Sequence, residues 1–291
     1  MQFWHAIILG LVEGITEYLP VSSTGHLIVA AALLGLDKPE TKSATDAFLI
    51  IVQGGAILAV LGLYRARVVQ MIRGVLGRDP AGFRLAVNVL IAFLPAAVIG
   101  LLLEKHIERL LFGPGPVVLA LAAGGVYMIL LEAWRRGKFS MVRSSHAEIG
   151  IDELTPGRAL VIGLMQCIAM WPGTSRSMMT ITAGYIVRLR PAAAAEFSFL
   201  LGLPTLGGAC AYKLFKDIAN DGVAGHVSIF KTLGIAPVLL GIAVATVSAA
   251  IAIKWLVAFL NRHGLAPFGW YRLLLAAALL GLILGGIVVI D

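Results

Sequence analysis

Residues 9–24 read LGLVEGITEYLPVSST, an apolar stretch that carries two glutamates and then breaks at Pro20. Proline interrupts an α-helix, and serines favour helix starts because their hydroxyls accept hydrogen bonds from free backbone N–H groups. The stretch therefore predicts two short helices within residues 3–36, joined by a polar turn. Each is about 13–18 residues long, whereas a helix needs about 20 to cross the bilayer core. We interpret the pair as a re-entrant helix–loop–helix hairpin.

The rest of the chain has the composition of an integral membrane protein. Of its 291 residues, 59% are hydrophobic and 13% are charged, against about 45–50% and about 25% in soluble domains. The net charge is +7, but there is no basic run with interleaved aromatics, which argues against nucleic-acid binding. Six stretches are long and apolar enough to span a membrane: 45–64, 85–103, 116–134, 194–212, 232–253 and 271–290.

A second interrupted stretch repeats the pattern of the first. Residues 162–176 read IGLMQCIAMWPGTSR, so that Pro172 aligns with Pro20 and Ser175 with Ser23. This predicts a second re-entrant hairpin over residues 159–189. Broken helices at matching positions of two halves are typical of sites near the middle of the bilayer.

The predicted fold is an all-α polytopic membrane protein with six transmembrane helices, two re-entrant hairpins and an inverted-topology internal repeat. The first repeat covers residues 1–134 and the second covers 159–291, with a charged cytoplasmic linker over 135–158. Three spans in each half is an odd number, so the second half must be inverted. Together the halves form a single membrane domain.

The distribution of basic residues predicts the orientation. Fifteen of the 23 Lys and Arg residues fall in segments on one side of the predicted spans, including Arg272, and seven fall on the other. Cytoplasmic loops carry the excess of Lys and Arg, so we expect the richer side to be cytoplasmic and both termini to lie outside.

The first hairpin contains two glutamates that need a partner. Glu13 and Glu17 are four residues apart and share a helix face, about 6 Å apart along the axis. A carboxylate at the centre of a membrane helix costs roughly 2.5–3.5 kcal/mol. A divalent cation such as Mg²⁺, a shared proton or an arginine from elsewhere would compensate, which makes both residues candidate metal ligands.

Hydroxyls and a histidine follow in the same motif. Ser22, Ser23 and Thr24 begin the second short helix, where they either only cap it or help its N-terminus to bind an anion. His26 lies one turn further on and is a candidate general acid or base.

The second motif, PGTSRSMMT at residues 172–180, contains groups that bind anions. The guanidinium of Arg176 matches a phosphate or carboxylate through two parallel hydrogen bonds, or neutralises Glu13 or Glu17. Gly173 lets the backbone approach a ligand closely. The hydroxyl donors of this motif are Ser175, Ser177 and Thr180.

Three further polar residues lie in or beside apolar spans. Gln53 and Glu196 are candidates to line a cavity. Glu132 borders the charged linker, and we expect it to be solvated.

Both motifs resemble the signatures of the undecaprenyl-pyrophosphate phosphatase family of the bacitracin-resistance type. The resemblance rests on EGITEYLPVSSTGH (13–26) and PGTSRSMMT (172–180) and extends to EFSFLLGLP (196–204) and to the tail around Tyr271 and Arg272. It implies a bacterial inner-membrane enzyme that removes the terminal phosphate of undecaprenyl pyrophosphate. The product is the lipid carrier for cell-wall polymers. The family also implies a site that faces the periplasm and activity supported by a divalent cation, Mg²⁺ or Ca²⁺.

Within this resemblance, Arg176 with its neighbouring hydroxyls would hold the pyrophosphate. Ser23 is the candidate nucleophile, activated by Glu17 or His26, while His26 itself and water are rivals. Glu13 and Glu17 would bind the cation, relay protons or divide these tasks. A secondary transporter or lipid-phosphate translocase is the alternative, since inverted repeats with broken helices are a transporter architecture. A homodimer is left open.

Overall fold

A computed structural model of the protein describes residues 1–36, 39–111, 113–137, 148–219 and 229–286. These residues form α-helices and two short 3₁₀ turns, and they include no β-strand beyond an isolated bridge between Ile149 and Leu189. The helices are α1 (Phe3–Thr16), α2 (Ser23–Leu33), α3 (Pro39–Leu63), α4 (Arg65–Val75), α5 (Pro80–Leu111), α6 (Pro114–Arg135), α7 (Pro156–Cys167), α8 (Arg176–Ile186), α9 (Pro191–Ala219), α10 (Ile229–Leu233), α11 (Ile235–His263) and α12 (Ala266–Leu284).

Six of these helices are long and apolar enough to cross a membrane, which confirms the predicted number of spans. Their apolar segments are Ala44–Leu63, Pro80–Leu103, Gly115–Arg135, Pro191–Ala219, Ile235–His263 and Ala266–Leu284. The chain is therefore a multi-pass helical membrane protein. Both predicted interruptions are also present, since α1 and α2 flank one turn, and α7 and α8 flank the other. The end of the last predicted span, 287–290, lies outside the described residues.

Close helix pairs depend on glycines that let backbones approach. A Cβ at Gly10 of α1 would lie 2.7 Å from the carbonyl oxygen of Gly241 in α11, and one at Gly163 of α7 would overlap the backbone of Ala92 in α5. The parallel pairs α1–α11 and α7–α5 bring the first and second halves of the chain together. They therefore fix the positions of the two interrupted segments.

The charged loops lie together at one end of the bundle, as the distribution of basic residues predicts. Arg67 of α4 pairs with Glu196 of α9 at 2.7 Å and with Asp152, just before α7, at 2.9 Å. Glu196, expected to line a cavity, is instead committed to this network. Arg135 pairs with Glu148 at 3.2 Å. Segments from α4, α6, α7 and α9 are thereby held at the same end.

Glu132 is buried, and the expectation that it is solvated is wrong. Glu132 is 1% exposed to solvent. Its carboxylate accepts hydrogen bonds from Arg135 at 3.0 Å, from Arg136 at 2.6 Å and from the backbone N–H of Leu265 at 3.2 Å. The turn between α11 and α12 folds over the end of α6 and covers the carboxylate. Glu132 therefore fastens the start of α12 to α6.

Replacing Glu132 with glutamine should destabilise the protein without changing its chemistry. The amide can still accept from Leu265, but Arg136 loses its counter-charge and Arg135 keeps only that of Glu148, at a cost of about 1–2 kcal/mol. We expect the thermal midpoint in detergent to fall by roughly 3–6 °C. Glu148→Gln is the matched control, because Glu148 is 50% exposed and pairs with the same Arg135. Equal midpoints for the two variants would contradict the role given to Glu132.

Candidate active site

The two polar turns have the same local geometry. Ser22 precedes α2 with φ of 73°, and Ser175 precedes α8 with φ of 76°. Each hydroxyl caps its helix by accepting from a backbone N–H, that of Gly25 at 3.4 Å and that of Met178 at 3.3 Å. A left-handed conformation costs a non-glycine residue of order 1–3 kcal/mol, so it persists only where the surroundings enforce it. Both turns are therefore fixed, and each points a helix N-terminus into the protein.

A hydroxyl from the second motif binds the turn of the first. Ser177 is fully buried and donates to the carbonyl oxygen of Leu19 at 2.9 Å. Its oxygen also lies 3.0 Å from the hydroxyl of Ser175. The two motifs, more than 150 residues apart in sequence, are thus in direct contact.

Glu17 is the centre of this contact. One carboxylate oxygen, Oε2, accepts from the hydroxyl of Ser23 at 2.8 Å and from the amide of Gln53 at 3.4 Å. The other, Oε1, accepts from Nη2 of Arg176 at 3.3 Å. A single buried carboxylate therefore joins a hydroxyl of the first motif to the guanidinium of the second. Gln53 reaches the same group from α3, as its position in an apolar span suggested.

Arg176 is held rigidly by groups other than Glu17. Its Nη1 donates to the carbonyl oxygen of Ser198 at 2.8 Å, and its guanidinium carbon lies 5.4 Å from the ring centroid of Tyr18. A Cβ at Gly202 of α9 would lie 3.0 Å from Nη1, so the glycine leaves just enough room. Its Nε has no hydrogen-bond partner among the described residues. The guanidinium of Arg176 is thus held in one orientation, and its Nε remains a donor without a partner in the described part of the chain.

Glu13 lies one turn before Glu17 and is buried. Its Oε1 accepts no hydrogen bond from any part of the chain that the structure describes. Over the same residues, no group of three or more His, Cys, Asp or Glu side chains could hold a metal ion. Any cation here would depend on two carboxylates supplemented by hydroxyl or amide oxygens, which are the hard ligands that Mg²⁺ and Ca²⁺ accept.

The other candidate residues surround this centre at different depths. Thr180 is buried behind Arg176, with its Oγ1 2.6 Å from the hydroxyl of Ser198. Gly173, with φ of 91°, packs against α6, where a Cβ would lie 2.7 Å from the carbonyl oxygen of Val117. Thr24 is exposed at the first turn of α2.

His26 is bound at both ring nitrogens. Nδ1 lies 2.7 Å from the carbonyl oxygen of Ser22, and Nε2 lies 2.7 Å from the hydroxyl of Tyr271. Sequence reasoning named Tyr271 only as part of the family resemblance. The contact joins α2 to α12 across 245 positions, which no spacing in the sequence could reveal.

Arg272 is part of the protein interior, and its assignment to the charged loops is wrong. It is 0% exposed and donates to the carbonyl oxygens of Gly173 at 2.8 Å, Ala120 at 2.9 Å and Leu121 at 3.3 Å. Helix α12 begins at Ala266, which carries Arg272 between α6 and the second turn. The guanidinium thereby supports the turn that precedes Ser175.

Fold and site together define a class, a multi-pass helical membrane protein with a buried and hydrogen-bonded Glu–Ser–Arg centre. Comparison with known proteins assigns the family. The sequence profile described as bacitracin resistance protein BacA matches residues 6–278, and the chain belongs to this family.

Similar curated proteins carry consistent names. The undecaprenyl-diphosphatase of Sorangium cellulosum is 46% identical over 282 residues, covering 97% of this chain and 87% of that protein. Undecaprenyl-diphosphatase 2 of Rhodospirillum rubrum is 44% identical over 285 residues, covering 97% and 96%. Undecaprenyl-diphosphatase 1 of Burkholderia ambifaria is 42% identical over 268 residues, covering 92% and 91%.

Proposed function

We propose that this protein hydrolyses undecaprenyl pyrophosphate to undecaprenyl phosphate and inorganic phosphate, and so recycles the lipid carrier of cell-wall polymer synthesis. The observation that carries the proposal is the double contact of Glu17 with Ser23 and Arg176. It brings a hydroxyl, a carboxylate and a guanidinium into one hydrogen-bonded group, and these would serve as nucleophile, base and phosphate-binding group. The names of the similar proteins support the choice of substrate.

The reaction proceeds in two steps at Ser23. Its oxygen attacks the terminal phosphorus, its proton passes to Glu17, and the bridging P–O bond breaks to release undecaprenyl phosphate. Glu17 then loses this proton to solvent. Ionised again, it takes a proton from the water that attacks the phosphoserine and passes it to the serine oxygen, which frees inorganic phosphate and regenerates the hydroxyl. The hydrogen bond from Ser23 to Oε2 of Glu17, at 2.8 Å, supports the serine over His26 as nucleophile.

Arg176 neutralises the negative charge of the terminal phosphate. Phosphoryl transfer depends mainly on positioning and charge compensation, both of which a fixed guanidinium supplies. The N-termini of α2 and α8 add backbone N–H groups and helix dipoles. The remaining substrate-binding groups are Ser22, Thr24, Gly173, Ser175, Ser177 and Thr180.

Glu13 and Glu17 would hold a divalent cation, Mg²⁺ or Ca²⁺. The unpartnered Oε1 of Glu13 supports this, because a buried carboxylate oxygen requires compensation. Substrate phosphate would draw Arg176 away from Glu17 and leave Oε1 of Glu17 available. When bound, the cation supplies further charge neutralisation for the pyrophosphate.

Glu13→Gln should weaken the binding of the divalent cation more than it weakens the binding of the substrate. With one of two carboxylates removed, we expect the half-saturating Mg²⁺ or Ca²⁺ concentration to rise at least about tenfold. The measurement is phosphate release against cation concentration, together with the cation-induced thermal shift of protein without substrate. Glu148→Gln serves as the matched exposed control. Unchanged curves for Glu13→Gln would remove this residue from the cation site.

The helix arrangement supports two re-entrant hairpins and an inverted repeat. Helices α1 and α2 contain 14 and 11 residues, about 21 and 17 Å, against about 30 Å for the bilayer core. The α7–α8 hairpin begins and ends at the charged end of the bundle. Helix α1 runs parallel to α11, whose C-terminus is at that end, so the first hairpin begins and ends at the opposite end.

The two repeats would be residues 1–134 and 159–291, with their hairpins meeting tip to tip. By the positive-inside rule the charged end, which includes Arg135 and Glu148 of the predicted linker 135–158, would be cytoplasmic. The first hairpin then inserts from the outer face of the bacterial inner membrane and opens the site toward the periplasm.

The proposal is tested with purified protein, synthetic undecaprenyl pyrophosphate and either Mg²⁺ or Ca²⁺ in detergent. We expect inorganic phosphate and undecaprenyl phosphate in a one-to-one ratio. Folded protein that releases no phosphate under these conditions would contradict the assignment.

A lipid-phosphate translocase is the second candidate, favoured by hairpins that insert from opposite ends. Movement of labelled undecaprenyl phosphate across liposomes, in the absence of any hydrolysis, would support it. An enzyme that only hydrolyses would leave this lipid on its original side.

A further inference from the structure

The hydrogen bonds of His26 determine which nitrogen carries its proton. The carbonyl oxygen of Ser22 can only accept, so Nδ1, 2.7 Å away, must be the donor. In a neutral imidazole, Nε2 is then the acceptor, and the hydroxyl of Tyr271, also 2.7 Å away, donates to it. The two contacts together select a single tautomer of the ring.

The ring of Tyr271 also fixes the orientation of the imidazole. The two rings are almost parallel, with an angle of 3° and a centroid separation of 5.6 Å. Tyr271 is 45% exposed, so its hydroxyl lies at the accessible edge of the site. The next residue, Arg272, binds the turn of the second motif through Gly173. Neighbouring residues of α12 thus contact both motifs.

We propose that Tyr271 is a positioning residue, which holds His26 in its Nδ1-protonated form and keeps the ring in place whenever Nε2 gains or loses a proton. The hydroxyl suits both states, because it donates to a neutral Nε2 and accepts from a protonated one. The proposal rests on the proposed function and adds one role to it, in which protonated His26 gives a proton to the departing undecaprenyl phosphate.

Of the two hydrogen-bond partners of His26, only the hydroxyl of Tyr271 can change between donor and acceptor. The charged groups nearby are Arg272 on α12 and Glu17 in the turn after α1, which reaches α2 through Ser23. Helix α6 meets α2 through Leu121, which contacts Gly25. A hydrogen bond to a charged ring is stronger than one to a neutral ring, so Tyr271 stabilises the protonated form more than the neutral form.

Tyr271→Phe keeps the aromatic ring and removes the hydroxyl. We expect kcat for phosphate release to fall about tenfold with KM within about twofold, and the alkaline limb of the kcat profile to move down by about one pH unit, because the protonated ring loses a hydrogen bond. Tyr212→Phe is the matched control, because Tyr212 is 68% exposed on α9. A Tyr271→Phe variant with unchanged kcat and pH profile would overturn the proposal, since packing alone would survive this change.

A double-variant cycle tests whether Tyr271 acts through His26. In a His26→Gln background, Tyr271→Phe should cause no further loss of rate. A full tenfold loss there would show that Tyr271 acts elsewhere and would overturn the proposal.

Nuclear magnetic resonance of ¹⁵N-histidine-labelled protein tests the contact without catalysis, with His26→Gln identifying the signals. We expect the Nδ1-protonated form in the unmodified protein and a mixture of tautomers in Tyr271→Phe. An Nε2-protonated ring in the unmodified protein would contradict the inference. If the protein released no phosphate, the proposed function would fail while this measurement still decided the contact.

Discussion

Arg176→Lys is expected to lower kcat/KM for phosphate release at least about a hundredfold, and Arg176→Ala about a thousandfold, because a preorganised donor to the reacting phosphate is lost. Lysine keeps the positive charge, but its single ammonium nitrogen lacks the rigid fork by which Nη1 and Nη2 of Arg176 donate separately to Ser198 and Glu17. The charge is therefore no longer fixed where the phosphate arrives. The comparison of these variants measures how much of the effect depends on geometry.

Two further variants test whether the loss of activity depends on the position of the guanidinium. Gly202→Ala places a methyl group about 3 Å from the guanidinium of Arg176, and we expect a smaller loss, about tenfold, as the side chain shifts by a few tenths of an ångström. Arg73→Lys, on the exposed face of α4, should leave the rate unchanged. If Arg176→Lys kept more than half of the activity, charge alone would suffice and the two-partner geometry would be irrelevant.

Ser23→Ala is expected to reduce kcat by at least about a thousandfold, because it removes the nucleophile that Glu17 activates. Phosphate should be found on Ser23 when turnover of the unmodified protein is quenched rapidly with acid, and mass analysis of peptides would locate it. His26→Gln should reduce kcat by a smaller factor, about 10–100-fold, since it removes proton exchange and leaves the nucleophile in place.

Thr246→Ala is the matched control for loss of a hydroxyl in an apolar helix, because the hydroxyl of Thr246 donates within α11, to the carbonyl oxygen of Ile242 at 2.8 Å. Phosphate found on His26 would transfer the role of nucleophile to the imidazole. Phosphate on neither residue, with measurable activity in Ser23→Ala, would indicate direct attack by water.

The spans and the breaks between them could be predicted because both depend on local properties. A bilayer requires about 20 apolar residues in succession, and Ala44–Leu63 satisfies this by composition alone. Pro20 and Pro172 each stand in a polar run, and both runs are breaks between helices, whereas Pro95 and Pro204 lie inside continuous helices. The pairing of Glu17 with Arg176 was one of several alternatives, because the sequence shows that a buried carboxylate needs a partner without showing which one.

The roles of Glu132 and Arg272 could not be predicted, since each depends on a distant segment. Both residues stand beside loops in the sequence, where charged side chains are ordinarily solvated. Glu132 is covered by the α11–α12 turn, and Arg272 finds its acceptors in α6 and in the turn at Gly173. These contacts exist only after the two halves have packed together.

The burial of Arg272 has a consequence for electroneutrality. Together with Arg176 it supplies two positive charges to the interior, and Glu13 and Glu17 supply two negative ones. With both carboxylates ionised, the charges of these four side chains cancel. A pyrophosphate adds several negative charges to this balanced interior, where uncompensated charge is costly. The lipid therefore has to arrive with its own counter-ions or protons, and its binding is coupled to theirs.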